Sequence, residues 1–468
     1  MAASVEKLSP LDVIMPPTYV QANIFFRTNG SDLSAIHQKL QDGLDKLVTK
    51  FPWLGGQVHR IEPPQAEKAT LEVRWDVENS SAKLFSTGTV PASYEDLAAK
   101  GMPLDSVPAS FLPSTPPMTA LQAGAPVFIA TVFDFSDGKG VGLSVCLHHN
   151  FVDGAGAGVL LRTWADLVAD TSSSFPGPVS AQAPKRVDRI SATLNDELEA
   201  LKAETPEALL ARHPEYSLAP PAFPTEFAAS TAKLFAIPAA KIEAMRVELV
   251  KLSGNEKAPS TGNILSALIW QVVTRARIVR TPSLANQQSK LVTAVNGRAR
   301  ISQEQLCEPT DPYLGNAVLY ALGTLDAASD SHHSTEALAR VCDAIARSQS
   351  TETIDRRHIA EIHSGVDRFP DYRAIFPGWD LFNSRDLTIT SWADLRLYEW
   401  LNFGSVVGGK PEFVRVPYME ADGVGMLLPR RKALGGSEDV LFEVAILLRR
   451  DDLEALEADE AWKGLIQV

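Results

Sequence analysis

Apolar residues recur along the chain with two different spacings, which predict strands and helices in alternation. Between residues 31 and 51, leucine, isoleucine and valine recur every three or four positions behind Ser31 or Asp32, which is typical of an amphipathic helix with a capped N-terminus. The segment before it, TYVQANIFFRT (18–28), is typical of a strand. The first fifty residues therefore predict a strand followed by a helix.

The same alternation continues through the rest of the chain. Residues 126–149 predict a β-hairpin around the turn SDGKG, and residues 158–170 predict a helix after it. In the second half, residues 264–279 predict a helix and residues 289–296 a strand, and residues 331–348 predict a capped helix. We therefore predict an α/β protein, with no internal repeat at a fixed period.

The length and one change of composition predict two domains. A chain of 468 residues is too long for one ordinary core. Proline, serine and alanine are concentrated between residues 172 and 226, as in a long crossover between domains. We predict a first domain over 1–190, a crossover over 191–228 and a second domain over 229–468. We allow for a segment near 360–400 to pack with the first domain.

Composition and charge exclude several classes of protein. With 45% hydrophobic and 22% charged residues the chain is typical of a globular protein, and its net charge of −13 opposes nucleic-acid binding. The three cysteines, Cys146, Cys307 and Cys342, lack the pairing of a disulfide framework and the spacing of a zinc site. No signal peptide or membrane span is evident, so we expect a cytoplasmic monomer.

Two adjacent histidines end the second strand of the predicted hairpin. Because successive side chains of a strand point to opposite faces, His148 and His149 point in opposite directions. A chelating pair would need both rings on one side, so the dipeptide is not expected to hold a metal. One histidine can face a cleft while its neighbour packs inside the protein.

His149 is the candidate general base. A neutral imidazole can take a proton from a hydroxyl or amine as that group attacks an activated carbonyl. Asp153 either hydrogen-bonds to His149 like the acid of a triad or pins the turn by pairing with an arginine, and Gly154 and Gly156 let the backbone turn sharply. An isolated histidine at a strand end is usually structural, but here a strand, a base, an acid and a glycine turn occur together.

A second His-His pair in the chain lacks these features. His332 and His333 lie in SHHSTEAL, among residues that favour a helix start, and no aspartate follows at the same spacing. We interpret this pair as structural.

Several motifs resemble those of one enzyme family. HHNFVDG (148–154) is similar to the HHxxxDG motif of BAHD acyltransferases and of peptide-synthetase condensation domains. TSWADLRLYEWLNFG (390–404) resembles the TSW and DFGWG segments of the BAHD family, and GKPEFVR (409–415) agrees with it. Five further segments resemble motifs of the family and occur in the same order along the chain: LSPLD, FPWLGGQV, STGNILSALIW, VNGRAR and YLGNAV. The likeness is to the fungal branch, that of the trichothecene 3-O-acetyltransferases.

The resemblance implies a fold and a set of catalytic groups. The fold would consist of two chloramphenicol-acetyltransferase-like α/β domains, with a tunnel in which donor and acceptor meet at His149. Asp153 would be structural and paired with Arg298. Trp392 would steady the oxyanion with its indole N–H, and Thr390 would lie beside it.

The resemblance also implies a site for the acyl donor. Ser260 and Thr261 precede a helical pattern, so they can cap the helix and leave backbone N–H groups facing a coenzyme A phosphate. Capping alone is the other interpretation, and the resemblance favours the coenzyme A contact. We expect acyl-CoA as a co-substrate, with no permanently bound cofactor and no metal.

One position departs from the family pattern. Asn402 stands where the family has the aspartate of DFGWG, and only Phe-Gly, ending at Gly404, is retained. A salt bridge expected of that aspartate is therefore in doubt, since an asparagine accepts hydrogen bonds without charge assistance. We expect altered packing near the tunnel wall and retained chemistry.

Taken together, the sequence predicts a CoA-dependent O-acyltransferase, most simply one that acetylates a hydroxyl of a fungal secondary metabolite without an acyl-enzyme intermediate. Two alternatives remain open: a free-standing condensation domain that uses a carrier-protein thioester, and a non-catalytic binding relative. The motifs do not specify the acceptor, the length of the acyl group or the choice between O- and N-acylation.

Overall fold

The computed structural model describes residues 3–30, 32–117, 121–170, 186–253, 258–432 and 440–467. Ser31, one of the two predicted helix caps, lies outside these ranges, as do residues 171–185, which include the start of the stretch rich in proline, serine and alanine. Within the described ranges, no helix has both the length and the hydropathy needed to cross a membrane.

The strands of the described residues alternate with helices through most of the chain. They are β1 (Ala3–Lys7), β2 (Tyr19–Arg27), β3 (Gln57–Ile61), β4 (Thr70–Asp76), β5 (Leu84–Val90), β6 (Ala125–Pro126), β7 (Phe128–Phe135), β8 (Gly140–His148), β9 (Tyr216–Ser217), β10 (Ser230–Pro238), β11 (Gln288–Asn296), β12 (Val318–Asp326), β13 (Phe376–Pro377), β14 (Leu387–Ser391), β15 (Phe413–Arg415), β16 (Val424–Leu427), β17 (Arg431–Lys432) and β18 (Val440–Arg449).

The helices range from 4 residues to the 20 residues of the longest, α9. They are α1 (Pro10–Val13), α2 (Leu33–Lys50), α3 (Tyr94–Ala99), α4 (Gly154–Val168), α5 (Arg186–Thr193), α6 (Asn195–Ala200), α7 (Pro206–Leu210), α8 (Ala239–Ser253), α9 (Thr261–Arg280), α10 (Arg298–Leu306), α11 (Ala327–Asp330), α12 (Thr335–Ser348), α13 (Arg356–Arg368), α14 (Leu397–Trp400), α15 (Arg450–Ala458) and α16 (Glu460–Leu465).

Two large sheets organise the fold. One has five strands in the order β15-β2-β8-β7-β5, and the other follows the path β10-β18-β16-β14-β11-β12, with β17 paired to β18. A four-stranded sheet, β1-β4-β3-β6, and the short pair β13-β9 complete the described sheets. The predicted hairpin is present, since β7 and β8 pair antiparallel.

The five-stranded sheet is covered by α2 and α4. Asp32 caps α2 by accepting from the N–H groups of Ser34 and Ala35, so the cap of the predicted helix is the aspartate. The indole N–H of Trp164 on α4 donates to the Leu40 carbonyl at 3.0 Å, which ties the two helices together. These helices hold the apolar face of β8 in a continuous core.

The second large sheet has its own core, formed with α9, α12 and α15. Trp270 on α9 is completely buried, and its indole N–H donates to the Ser289 hydroxyl at the start of β11 at 2.9 Å. Apolar residues of β18 pack against the same helices. The strands of this sheet therefore come from residues 230–449, and α9, α12 and α15 pack against it.

A late segment of the chain returns to the first sheet. Trp392, Leu397 and Phe403 join the core of α2 and α4, and β15 pairs with β2 as an edge strand of the five-stranded sheet. Arg415 on β15 then forms a bidentate ion pair with Glu443 on β18, both distances being 2.9 Å. A buried charge pair thus joins the two large sheets.

Candidate active site

The strand β8 delivers the two adjacent histidines to different environments. All nine residues of β8 are buried, and the strand ends at His148. His148 packs edge-on against Tyr19 with ring centroids 5.0 Å apart. Burial, and secondarily the neighbouring His149, lowers the pKa of His148 to about 4, so its ring is neutral near pH 7.

His149 is the first residue beyond the strand and is only partly buried. Its N–H donates to the Thr18 carbonyl at 2.8 Å, and its carbonyl accepts from the Asn316 side chain at 2.7 Å. Its Nδ1 is sealed from solvent and has no hydrogen-bond partner in the described part of the chain. The backbone of His149 is therefore fixed from both sides, and Nε2 is the ring nitrogen left to meet a substrate.

Asp153 contacts Arg298 and not His149, so of the two alternatives left open by the sequence the triad interpretation is wrong. The Arg298 guanidinium donates to both Asp153 oxygens at 2.8 Å. The Asp153 carboxylate also accepts from the backbone N–H groups of Gly156 at 2.9 Å and Ala317 at 3.1 Å. Arg298 also donates to the carbonyls of Tyr313 and Gly315, which leaves the pair buried and well satisfied.

The charges of this pair stabilise one another. Burial by itself raises the pKa of the Asp153 carboxyl, but the Arg298 guanidinium and the hydrogen bonds to the carboxylate bring it below its ordinary value. The pKa of Arg298 is raised, since the attraction of Asp153 outweighs the opposing effect of burial. Both groups are therefore ionised at neutral pH.

The glycines after Asp153 have a different role from the one predicted. Residues 154–156 form the first turn of α4, which begins four residues earlier than expected, with Asp153 as its N-cap. A Cβ on Gly156 would lie 2.2 Å from the Leu314 carbonyl oxygen. Gly156 is thus required by a close approach of α4 to the segment around Leu314, not by a sharp turn.

A second carboxylate supports the His149 turn, and the sequence did not point to it. Asp12 on α1 is completely buried, and its Oδ1 accepts from both the N–H and the side-chain amide of Asn316 at 2.7 and 2.9 Å. The same Asn316 amide donates to the His149 carbonyl. Asn150 adds hydrogen bonds to the carbonyls of Asp12 and Met15. Asp12 lies in LSPLD and Asn316 in YLGNAV, two segments that resemble motifs of the family. This resemblance was the signal in the sequence that could have identified them.

Trp392 lies beside the first turn of α4. Its Nε1 is 3.5 Å from the position a Cβ on Gly154 would take, and no described residue accepts a hydrogen bond from it. Thr390, two residues earlier at the end of β14, is half-buried and pairs in register with Met426. Trp392 also borders a small apolar pocket, whose lining residues carry no titratable side chain.

Ser260 and Thr261 begin α9. The Ser260 hydroxyl accepts from the Asn263 N–H at 3.1 Å and is the N-cap, so capping is its observed role. The Thr261 hydroxyl accepts from the Arg246 guanidinium, whose Nε is buried without a partner in the described residues. A helix N-terminus and a guanidinium therefore meet here, and Arg246 had not been predicted from the sequence.

Asn402 and Gly404 lie at a turn near the surface. Asn402 is exposed, and its side-chain oxygen accepts from the Gly404 N–H at 3.1 Å. Gly404 has a φ of +67°, a left-handed conformation that favours glycine. Phe403 between them is completely buried against Phe26 and Trp164. The asparagine thus closes a local turn, and the aromatic residue anchors the segment.

Known proteins share this architecture. The structure superposes on that of TRI101 of F. sporotrichioides, complexed with coenzyme A and T-2, with a TM-score of 0.78 over 99% of each chain at 21% identity. The predicted fold of two chloramphenicol-acetyltransferase-like domains is confirmed by this likeness.

The family follows from the sequence matches. The model of the Transferase family matches residues 6–462, and the chain belongs to this family, that of the BAHD acyltransferases it was seen to resemble. It is 26% identical to the trichothecene 8-O-acetyltransferase of Fusarium sporotrichioides, covering 97% of this chain and 96% of the relative. It is 24% identical to the O-acetyltransferase ptmV of Penicillium ochrochloron, covering 97% and 95%. The prediction of an acyltransferase is confirmed.

Proposed function

We propose that this protein transfers an acetyl group from acetyl-CoA to a hydroxyl group of a fungal secondary metabolite. The observation that carries the proposal is the state of His149: its backbone is fixed, its Nδ1 is sealed, and its ring is the one partly accessible imidazole of the HHxxxDG motif. The names of the relatives, which are O-acetyltransferases of fungi, support acetyl as the group and a hydroxyl as the acceptor.

The reaction follows from the groups at the site. His149 Nε2 takes the proton of the acceptor hydroxyl as its oxygen attacks the thioester carbonyl. The carbonyl oxygen of the tetrahedral intermediate gains negative charge. We assign to it the indole N–H of Trp392, from which no described residue accepts a hydrogen bond, with Thr390 beside it. The C–S bond then breaks, and the coenzyme A thiolate leaves with the proton from His149. No covalent acyl-enzyme is required.

The remaining site residues hold this geometry in our proposal. Asp153 and Arg298 are positioning residues, since they fix the start of α4 and the turn before it without touching His149. Ser260, Thr261 and Arg246 would face the phosphates of coenzyme A, because the N-terminus of α9 and a guanidinium both favour an anion. The two domains, with boundaries as predicted, would enclose a tunnel that leads to His149.

Replacing the base tests the reaction. His149→Ala is expected to lower turnover of acetyl-CoA by at least ~10²-fold with an unchanged thermal melt, because a positioned base contributes about 10²–10⁴ to the rate. His148→Leu is the matched control, since it removes the neighbouring ring but keeps a buried apolar side chain. Thiol release is measured with acetyl-CoA against a panel of hydroxylated terpenoids. Equal rates for the two variants would contradict the assignment of His149.

The donor distinguishes this proposal from its alternatives. We expect thiol release from acetyl-CoA that requires an added alcohol and disappears in His149→Ala. Turnover of an acyl-loaded carrier protein with none of acetyl-CoA would establish a condensation domain instead. Stabilisation by a ligand without release of thiol under any of these conditions would establish a non-catalytic binding protein.

A further inference from the structure

A cluster of buried imidazole and carboxylate groups lies apart from the acyl-transfer residues. His213 and Glu215 lie between α7 and β9, and His358 lies in the first turn of α13. The side chains of His213 and Glu215 are each 4% exposed, and that of His358 is 15% exposed. The cluster therefore joins the crossover region of the chain to a helix that follows more than 140 residues later.

The spacing of the three side chains fits the coordination of one ion. Glu215 Oε1 is 3.0 Å from His358 Nε2 and 3.5 Å from His213 Nδ1. One ligand atom from each residue lies within 4.8 Å of the other two. Zinc bound tetrahedrally at roughly 2.0–2.2 Å places neighbouring ligand atoms about 3.3 Å apart, so two of the three separations match without rearrangement.

Two polar atoms of the cluster face each other inside the protein. Glu215 Oε1 and His358 Nε2 are sealed from solvent and lie 3.0 Å apart, within ion-pair distance. His213 Nε2 is sealed from solvent as well. Buried polar atoms need partners, and a cation shared by Glu215 and His358 would serve both atoms.

A further carboxylate is placed as metal sites commonly require. Glu361, one turn along α13 from His358, has its Oε2 at 3.2 Å from His213 Nε2. Its other oxygen accepts from Arg212 at 2.9 Å and Arg357 at 3.0 Å, which holds the carboxylate in place. A histidine that binds metal through one nitrogen usually presents the other to such a carboxylate.

We propose that His213 Nδ1, Glu215 Oε1 and His358 Nε2 bind a divalent transition-metal ion, zinc by the type of ligand. Two imidazoles and one carboxylate form a ligand set typical of zinc, with the fourth position left to water. The ion would pin the segment after α7 to α13. This site is independent of the proposed acyl transfer, and it replaces the expectation from the sequence that the chain holds no metal.

Zinc binding by the whole chain tests the proposal. The purified protein is stripped with EDTA, reloaded with zinc sulfate and analysed by plasma emission, and its affinity is measured by competition with a chromogenic chelator. We expect one tightly bound zinc per chain, lost in Glu215→Gln and in His358→Gln. His333→Gln is the matched control, because that histidine is exposed and lies outside the cluster. Glu361→Gln is expected to weaken binding about 10- to 100-fold.

A second measurement needs no variant and so does not depend on variants that fold. Cobalt(II) added to the unmodified protein is expected to give the intense visible absorption of a four-coordinate site, which zinc then displaces in a one-to-one ratio. A protein that binds neither metal tightly overturns the proposal. Tight binding that is unaffected in both Glu215→Gln and His358→Gln overturns it as well, since the ion would then lie elsewhere.

Discussion

Two buried aspartates flank the His149 turn, and they are held in opposite ways. Asp153 accepts a bidentate pair of hydrogen bonds from Arg298, and its pKa lies below the ordinary value. Asp12 accepts from the hydroxyl and N–H of Ser9 and from Asn316, and the Arg186 guanidinium stays 3.7 Å away. Burial outweighs these groups and raises the pKa of Asp12.

The difference separates two tasks at one site. Both carboxylates reach the segment around residues 316–317, Asp153 through the Ala317 N–H and Asp12 through Asn316. The Asp153 pair fastens that segment to the start of α4 by charge. Asp12 fastens it by amide contacts, and through Asn316 it also holds the carbonyl of His149. The charged pair thus anchors the start of α4, and the hydrogen bonds of Asp12 and Asn316 hold the backbone of His149.

The largest effect is expected from breaking the charged pair. Asp153→Asn keeps the volume but leaves Arg298 buried without its partner, so the free energy of unfolding should fall by about 3–5 kcal/mol and activity should fall with it. Denaturant unfolding measures the change. Asp32→Asn is the matched control, because Asp32 is also a helix N-cap but is exposed. Reduced activity with an unshifted unfolding midpoint would favour a direct role for Asp153 in orienting His149.

A smaller effect is expected at the carboxylate held by neutral donors. Asp12→Asn replaces one acceptor oxygen by an NH₂ group that faces existing donors, which should cost about 1–3 kcal/mol of unfolding free energy. Arg186, 3.7 Å from Asp12, loses this carboxylate but keeps Glu6 at 3.0 Å, whereas Arg298 loses its bidentate partner in Asp153→Asn. Unfolding under the same conditions gives the comparison. A loss equal to that of Asp153→Asn would show that the Arg186 charge matters as much as that of Arg298.

The pH dependence should distinguish the two carboxylates by sign. Folded Asp153 binds its proton less readily than the unfolded chain, so its contribution to stability is present above pH 3.8 and is lost as pH falls below it. Folded Asp12 binds its proton more readily, so it favours the folded state as pH falls towards 3.8 from above. The penalty of Asp153→Asn should shrink at low pH while that of Asp12→Asn grows. Parallel trends in unfolding experiments would contradict this difference.

Much of the site could be predicted from local patterns. The strand that ends at His148, the cap at Asp153 and the helix after it are set by one continuous stretch of the chain, Gly140 to Val168. The pairing of Asp153 with Arg298 came from resemblance alone, since 145 residues separate them. The prediction of a sharp glycine turn was wrong. Glycine is required at position 156 because the Leu314 carbonyl oxygen lies close to it, and no local pattern in the sequence reveals this contact.

Other residues could not be found from the sequence for the same reason. Asp12 and Asn316 are 304 positions apart, and although each lies in a motif of the family, neither motif shows that the two residues meet. His213, Glu215 and His358 belong to segments, HPE and RRHIAE, whose histidines and glutamates become a cluster only when α13 packs against α7. The periodic patterns predict elements, but they do not specify which elements meet.

By itself the sequence determined the alternation of strands and helices and the family, and it predicted His149 as the base, because each of these depends on neighbouring residues and on motif spacing. Only the tertiary structure decided which aspartate carries a lowered pKa and which a raised one. The side chains are chemically identical, so the difference lies in what folding brings to them. Arg298 arrives within 2.8 Å of Asp153, whereas Asp12 receives amides and a more distant guanidinium, and burial then dominates its titration.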